Sequence, residues 1–230
     1  MHREENPMSV CLVTGANRGI GLALCRQLVE RGDQVIAACR HDSDELEALG
    51  ARVVTGVDVG DPASIRRLAE ELEGQPLDWI INNAGVLRRD TLGGLQDEAL
   101  DDVYLQFRVN SVGPLLVTQA LLGNLQSGSR VGIVTSRMGS MGDNDSGGYY
   151  GYRMSKAAVN AAGRSLAMDL KERGIAVALL HPGYVRTGMT DGGGDVEPMD
   201  AAAGLIARMD ELNLENTGSF WHAKGQELPW

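Results

Sequence analysis

The sequence lacks any run approaching the ~18 consecutive apolar residues that a membrane span requires, and its first residues, MHREENPMSV, lack the apolar stretch of a secretory signal. It has only three cysteines, Cys11, Cys25 and Cys39, each in an apolar setting (VCLVT, LALCRQL, IAACR). An odd number with no Cys-x-x-Cys reads as buried thiols in a reducing cytosol rather than as a disulfide framework. The four histidines are scattered singly, so no metal is expected. Basic charge is scarce: 21 Lys and Arg stand against 31 Asp and Glu, a net charge of −10. That balance argues against non-specific nucleic-acid binding and against docking on an anionic membrane. No internal repeat, low-complexity tract or linker interrupts the chain. The expectation is a single cytoplasmic domain over 1–230, with 1–8 flexible.

What the sequence has in excess is glycine, 30 of 230 residues, with no Gly-x-y period that would make it collagen-like. Such a surplus marks positions where backbone turns sharply or comes close to something. Short apolar runs alternate with helical patterns: VCLVT (10–14), QVIAAC (34–39), ARVVTGV (51–57), LDWIIN (77–82), RVGIVTS (130–136) and IAVALL (175–180), with a weaker GSFW near the end. Between them lie helical stretches such as Ile20, Ala23, Leu24, Gln27 and Leu28. Another is Ile65, Leu68, Ala69 and Leu72, which Asp61-Pro62 introduces as N-cap and first helical residue. Strand and helix in strict alternation predict an α/β fold of the Rossmann type, a doubly wound parallel sheet of about seven strands. Two stretches break the alternation, 137–151 and 184–200. Both follow a strand's carboxyl end, where open α/β sheets bind ligands, so the substrate is expected between them.

The first strand runs into Thr14-Gly15-Ala16-Asn17-Arg18-Gly19-Ile20-Gly21 and then a helix. Glycines at 15, 19 and 21 let a polyphosphate approach backbone donors, and the helix N-terminus adds free N–H groups and a positive dipole end. The spacing is Gly-x3-Gly-x-Gly, and the competing reading is an ordinary tight turn. At the end of the second strand an acidic residue would take the ribose hydroxyls of NAD, whereas a basic one would pair with the 2′-phosphate of NADP. Arg40 and His41 stand there, and Arg18 could supply a second cation, which favours NADP(H) over NAD(H).

Tyr152 and Lys156 lie four apart on one helix face. A nearby ammonium favours the phenolate and is expected to lower the tyrosine's pKa. Ser136, at the end of the fifth strand, could donate to a substrate carbonyl oxygen. Ser140, four residues on, is its rival, and Tyr149 and Tyr150 are rivals for the phenol, though only Tyr152 has a lysine one turn later. Alone, Tyr-x-x-x-Lys is a common accident; the order glycine turn, strand-end serine, Tyr and Lys gives it meaning.

That order, with TGANRGIG (14–21), Asp58-Val59, Asn82-Asn83-Ala84-Gly85, Asn110, and His181-Pro182-Gly183 through Thr187, resembles the short-chain dehydrogenase/reductase family over residues 9–230. The ending GSFWHAKGQELPW and the stretch GDNDSGGYYGYRMSK resemble its carbonyl-reductase branch of the sniffer and C-factor type. The resemblance implies a catalytic set of Asn110, Ser136, Tyr152 and Lys156, with Asn110 holding a water that links Lys156 to solvent. It lines the cofactor with Gly15, Asn17, Arg18, Gly19, Ile20 and Gly21, puts Asp58 and Val59 at the adenine, and sets Asn82, Ala84 and Gly85 by the ribose. Lys156 would also hold the nicotinamide ribose beside Tyr152, and Pro182, Gly183, Val185 and Thr187 would border the nicotinamide. Blander roles exist for some: Asp58 as a turn cap, Asn83 as structural, Thr187 as a loop cap.

The implied function is NADPH-dependent reduction of a small aldehyde, ketone or quinone, in a pocket lined by Met138, Met141, Tyr149, Tyr184 and Met189. The alternatives are a cofactor-binding signalling or interaction protein on the same scaffold, or an NAD-linked alcohol dehydrogenase. Relatives are often dimers or tetramers packed through two long helices, here 101–122 and 152–172. The face Ala157, Ala158, Ala161 and Ala162 suits such a homodimer or homotetramer, and equally suits packing on the sheet.

Overall fold

β-branched and aliphatic residues make strands where they can be buried on both faces, and the apolar runs do so here. The structure, a computed structural model, describes residues 8–230. Its strands are β1 (Val10–Thr14), β2 (Gln34–Ala38), β3 (Arg52–Val54), β4 (Leu77–Asn82), β5 (Leu125–Val134), β6 (Ala176–His181) and β7 (Phe220–His222). They form one sheet in the order β3-β2-β1-β4-β5-β6-β7, every neighbouring pair parallel. The helices are α1 (Gly19–Arg31), α2 (Asp44–Glu47), α3 (Pro62–Glu71), α4 (Asp97–Phe107), α5 (Gly113–Ala120), α6 (Tyr150–Lys171) and α7 (Pro198–Glu211). One face of the sheet buries Leu24 and Leu28 of α1 with Leu205 and Met209 of α7. The other buries Ile65 and Leu68 of α3, Val117 of α5 and Val159 of α6. The strand order reverses between β1 and β4, and that switch point opens a crevice at their carboxyl ends. This is the expected Rossmann-type doubly wound sheet. The expected flexible tail, for residues 1–7, lies outside the described residues.

Three local readings change. β5 begins at Leu125, five residues before the run RVGIVTS, because Leu77 pairs with Leu125 but Trp79 with Arg130. The extra residues bulge through Gly128 (φ +94°), and the Ser129 hydroxyl donates to the Leu77 carbonyl at 2.8 Å. The helix expected over 101–122 is two helices joined by a π-turn at Arg108–Val112. Pro114 has no N–H for the Asn110 carbonyl four residues back, so the α-helical ladder breaks there. The alanine face of α6 does not pack on the sheet. Val159, Gly163 and Ala167 do, while Ala161 is exposed and Ala157, Ala158 and Ala162 are half-buried.

All three cysteines are free and buried. Burial pushes the Cys25 thiol up to about 12 and the Cys39 thiol up to about 11, which keeps both protonated and inert at neutral pH. Among the described residues no helix is long and apolar enough to cross a membrane.

Gly204 lies inside α7, where alanine is intrinsically better by about 1 kcal/mol. A Cβ there would stand 2.8 Å from the Ala223 carbonyl oxygen, which is backbone and cannot swing away. Gly204→Ala is therefore expected to destabilise by about 1–3 kcal/mol despite its propensity gain. Calorimetric unfolding reads this as a lower Tm; a raised Tm would show that α7 is free to shift off β7.

Candidate active site

The turn after β1 is held by backbone proximity. Gly15 (φ +66°) and Gly19 (φ +56°) take left-handed conformations, and a Cβ on Gly15 would lie 2.8 Å from Cα of Ala84. Asn83 ties this turn to the end of β4: its Nδ2 donates to the carbonyls of Thr14 at 3.0 Å and Gly15 at 3.3 Å. The N–H groups of Asn83 and Ala84 both donate to Thr14 Oγ1 at 3.1 Å. Asn82 faces the other way, donating to Thr118 Oγ1 at 3.2 Å and leaving its buried Oδ1 without a partner. Asn83, which the sequence left as structural, is thus the residue that shapes the turn.

Arg18 is the N-cap of α1 and gives it no side-chain cap, and the first turn contains no acid. Its leading amides are therefore available to an anion. Arg18, Arg40 and His41 are exposed, and neither arginine pairs with a carboxylate among the described residues. The Ser43 hydroxyl donates to the Asn17 carbonyl at 3.0 Å, which fixes the segment after Arg40 against the turn. Ile20 packs into the core beneath it. A Cβ on Gly19 would meet Thr187 Cγ2 at 3.4 Å, so the loop after β6 reaches the same turn. Asp58 accepts the Gly60 N–H at 2.8 Å through one oxygen, as a turn cap would, beside a buried Val59. An uncapped helix start, two unpaired guanidiniums and close-packed glycines fit the diphosphate and 2′-phosphate of a dinucleotide.

Beyond β5, Ser136 caps a short 3-10 turn by accepting the Met138 N–H at 3.1 Å. Tyr152 is the third residue of α6 and Lys156 follows one turn later; both are buried, at 8% and 4% exposure. Lys156 Nζ donates to the Val134 carbonyl at 3.0 Å and lies 5.7 Å from the centre of the Tyr152 ring. Burial raises the Tyr152 phenol to about 12, opposed by the Ser136 hydroxyl, and lowers Lys156 to about 8. The expected lowering of the phenol is reversed, because loss of water penalises the phenolate more than its neighbours help. Ser136 meets the phenol, whereas buried Ser140 accepts the Asp143 N–H at 3.1 Å. Tyr149 is the N-cap of α6 and neither it nor Tyr150 is buried.

Asn110 sits in the π-turn, 1% exposed, with its side chain fully engaged. Oδ1 accepts the Val86 N–H at 2.8 Å; Nδ2 donates to the Val86 carbonyl at 2.8 Å and to Ser155 Oγ at 3.0 Å. Ser155 donates to the Tyr152 carbonyl at 2.8 Å, and Ser111 donates to the Ser155 carbonyl at 2.7 Å. A Cβ on Gly85 would stand 3.3 Å from Asn110 Oδ1 and 3.9 Å from Lys156 Nζ. Asn110, Gly85, Ser155 and Lys156 therefore form one contact group. Ser111 and Ser155 were missed in the sequence; their only signal is adjacency to Asn110 and Lys156.

After β6 come buried Pro182, Gly183 (φ +97°) and buried Val185. The following loop closes on itself through a Val185–Val196 bridge and a reciprocal Thr187–Thr190 cap. Thr187 is thus a loop cap as well as a neighbour of Gly19. Tyr184 and Met189 are exposed on this loop. Met141 does not join them: it borders a cleft of about 300 Å³ on the flank of α6, with Ala157, Asn160 and Trp230. His181 is 8% exposed with Nδ1 unpartnered, and burial first, then His222, Arg137 and Lys156, lower it to about 3.

A switch-point crevice, a glycine turn and a buried Ser–Tyr–Lys group define a Rossmann-type oxidoreductase. Residues 9–196 match the short chain dehydrogenase family, and the chain belongs to it. It is 45% identical over 229 residues to 1-hydroxy-2-glutathionyl-2-methyl-3-butene dehydrogenase of Rhodococcus sp. (strain AD45), covering 97% of this chain and 100% of that protein. It superposes with a TM-score of 0.87 on the NADPH-bound carbonyl reductase from chicken fatty liver, at 31% identity over 97% of this chain and 99% of that one. The carbonyl reductase Sniffer of D. melanogaster superposes at 0.88, with 27% identity over 97% and 100%.

His181 makes the fold acid-sensitive. Its pKa is about 3 folded against 6.5 ordinarily, so the unfolded chain binds the extra proton between those values. Stability therefore falls as pH drops through that window. His181→Gln is expected to remove on the order of 1 kcal/mol or more of that loss. Urea denaturation at several pH values measures it; parallel curves for both proteins would refute the assignment.

Proposed function

We propose that the protein is an NADP(H)-dependent reductase of small aldehydes, ketones or quinones, with Tyr152 as its acid. The observation that carries this is the buried group of Tyr152 and Lys156 one turn apart on α6, with Lys156 Nζ 5.7 Å from the centre of the phenol ring and Ser136 beside it. The NADPH-bound carbonyl reductase at 31% identity supports the cofactor.

NADPH, when bound, supplies the hydride. The glycine turn and the leading amides of α1 hold its diphosphate, and Arg18 and Arg40 with His41 hold the 2′-phosphate. Asp58 and Val59 receive the adenine. Ala84, Gly85 and Lys156 receive the riboses, with Asn82 behind them in β4. Pro182, Gly183, Val185 and Thr187 border the nicotinamide. Ser136 donates a hydrogen bond to the substrate carbonyl oxygen, and Tyr152, protonated at neutral pH, delivers the proton to it. Lys156 then returns a proton to the phenolate, since an ammonium ionising near 8 is the stronger acid. The side chain of Asn110 is committed to Val86 and Ser155, so a relay water would sit on its main-chain carbonyl, freed by Pro114. The loop 184–200, with Tyr184 and Met189, covers the substrate. The open alanine face of α6, with exposed Met154 on the same helix and exposed Tyr104 on α4, supports a homodimer or homotetramer through α4 and α6. Inert free thiols suit the cytoplasm.

The dehydrogenase at 45% identity favours a second reading, the same chemistry run toward alcohol oxidation. A signalling scaffold would need no buried Ser–Tyr–Lys group. NADPH consumption with a panel of aldehydes, ketones and quinones separates these readings. Tyr152→Phe is expected to retain cofactor affinity and lose at least about 100-fold in kcat; full turnover in that variant would sink the assignment. Arg40→Ala is expected to raise the KM for NADPH about tenfold and leave that for NADH nearly unchanged. An unchanged ratio of the two would refute the phosphate role.

A further inference from the structure

We propose that Asp90 is a positioning residue: it clamps the first turn of α6 from outside and so fixes the phenol of Tyr152. The inference rests on the reading of Tyr152 as the acid. The chain reaches α6 through Gly147 (φ +66°), Gly148 (φ +65°) and Tyr149 (φ +52°), three left-handed residues in succession. Glycine adopts that conformation freely, but a tyrosine is strained there, and such strain persists only where the surroundings hold it. Tyr149 is also the N-cap, and its side chain caps nothing.

The missing cap comes from a residue 60 positions upstream. Asp90 accepts the Tyr150 N–H at 2.5 Å through Oδ1 and the Gly151 N–H at 2.8 Å through Oδ2. Its main-chain carbonyl accepts the Tyr149 N–H at 3.3 Å. Three consecutive amides thus converge on one residue, and its carboxylate faces the positive end of the 22-residue helix. Asp90 makes no ion pair among the described residues, whereas its neighbours Arg88 and Arg89 are taken by Asp102 and Asp191. Its segment is fixed in turn by α4: Gln106, 0% exposed, accepts the Arg88 N–H at 2.9 Å. The fit at Gly151 is tight, since a Cβ there would lie 2.6 Å from Gln106 Nε2 and 3.0 Å from Asp90 Oδ2. On the opposite flank Arg153 donates to the Gly148 carbonyl at 3.2 Å and to Ser146 Oγ at 2.9 Å.

Tyr152 follows Gly151 directly, inside the clamped turn. Lys156 lies a turn further and has its own anchor on the Val134 carbonyl. The glycine turn after β1 makes none of these bonds. Loss of the clamp should therefore free the phenol relative to its lysine and leave cofactor binding alone.

The test combines residue-resolved amide hydrogen exchange with steady-state kinetics on the full chain. In Asp90→Ala, exchange at Tyr150 and Gly151 is expected to accelerate about tenfold or more, as lost protection of those amides requires. The kcat for carbonyl reduction should fall about tenfold while the KM for NADPH stays within about twofold. Asp90→Asn retains one acceptor oxygen in the same shape and should recover part of kcat; it also serves if the alanine variant does not fold. Unchanged exchange overturns the clamp. Faster exchange with unchanged kcat, or a KM for NADPH rising in step with the loss of kcat, overturns the positioning role. A wild-type protein that oxidises no NADPH with any carbonyl refutes the function above, and the exchange data still decide the clamp.

Discussion

At the carboxyl ends of β1 and β4 two stretches of backbone lie so close that no side chain fits between them. Gly15 faces Ala84, Thr14 Oγ1 accepts two successive amides from β4's end, and Asn83 returns two hydrogen bonds to the turn. The rest of the site follows from this junction. It fixes where α1 starts, and so where its uncapped amides point. It fixes Gly85, two residues beyond Asn83, against Asn110 and Lys156. The loop leaving the same strand supplies Val86 to Asn110 and Asp90 to α6. The glycine turn and the Tyr152–Lys156 group are thus both referenced to the end of β4, which explains how two distant segments keep a common geometry.

Much of this was legible because it rests on residue types that physics restricts. Parallel strands buried on both faces read as unbroken apolar runs, and left-handed turns read as glycines, so the sheet and the turn at Gly15 and Gly19 came directly from the sequence. Tyr152, Lys156 and Ser136 were legible through their order along a recognisable pattern. The readings that changed depend on packing that no single residue announces. Asn82 and Asn83 are chemically identical, and only the pleat of β4 decides that Asn82 turns to Thr118 while Asn83 turns to Gly15. The bulge that lengthens β5 arises from pairing across strands, not from the run itself. The π-turn at Asn110 had a local signal, a proline four residues on, which an apolar helical pattern masks. Asp90 had none, since a cap 60 residues from its helix leaves no spacing to read.

A charge of −10 is compatible with the proposed polyphosphate cofactor because the relevant field is local. Among the described residues Arg18 and Arg40 pair with no carboxylate, whereas Arg88, Arg89, Arg137 and Arg186 around the outer loops are each paired with one. Acids do follow Arg40, Asp42 before α2 and Asp44, Glu45 and Glu47 in its first turn, but among the described residues none closes on either guanidinium. With a Debye length of roughly 8 Å at physiological salt, exposed acids farther off have little say at that turn.

Burial also separates Tyr152 from Lys156 as acids. In water a phenol and an ammonium ionise close together, and a proton would pass between them with little preference. Burial raises the neutral acid and lowers the cationic one, to about 12 and about 8, which draws them apart. If Tyr152 delivers a proton as proposed, its phenolate would be the stronger base, and a proton from Lys156 would leave two neutral groups in a site where charge is costly. Ser136 works against this by favouring the phenolate, which moderates the cost of forming it in the first place. Under the proposed roles, the same order would make oxidation of an alcohol, which begins from the phenolate, gain from high pH more than reduction does. Desolvation by the sheet and α6, rather than the attraction of lysine for phenolate, is what sets the order of the two groups.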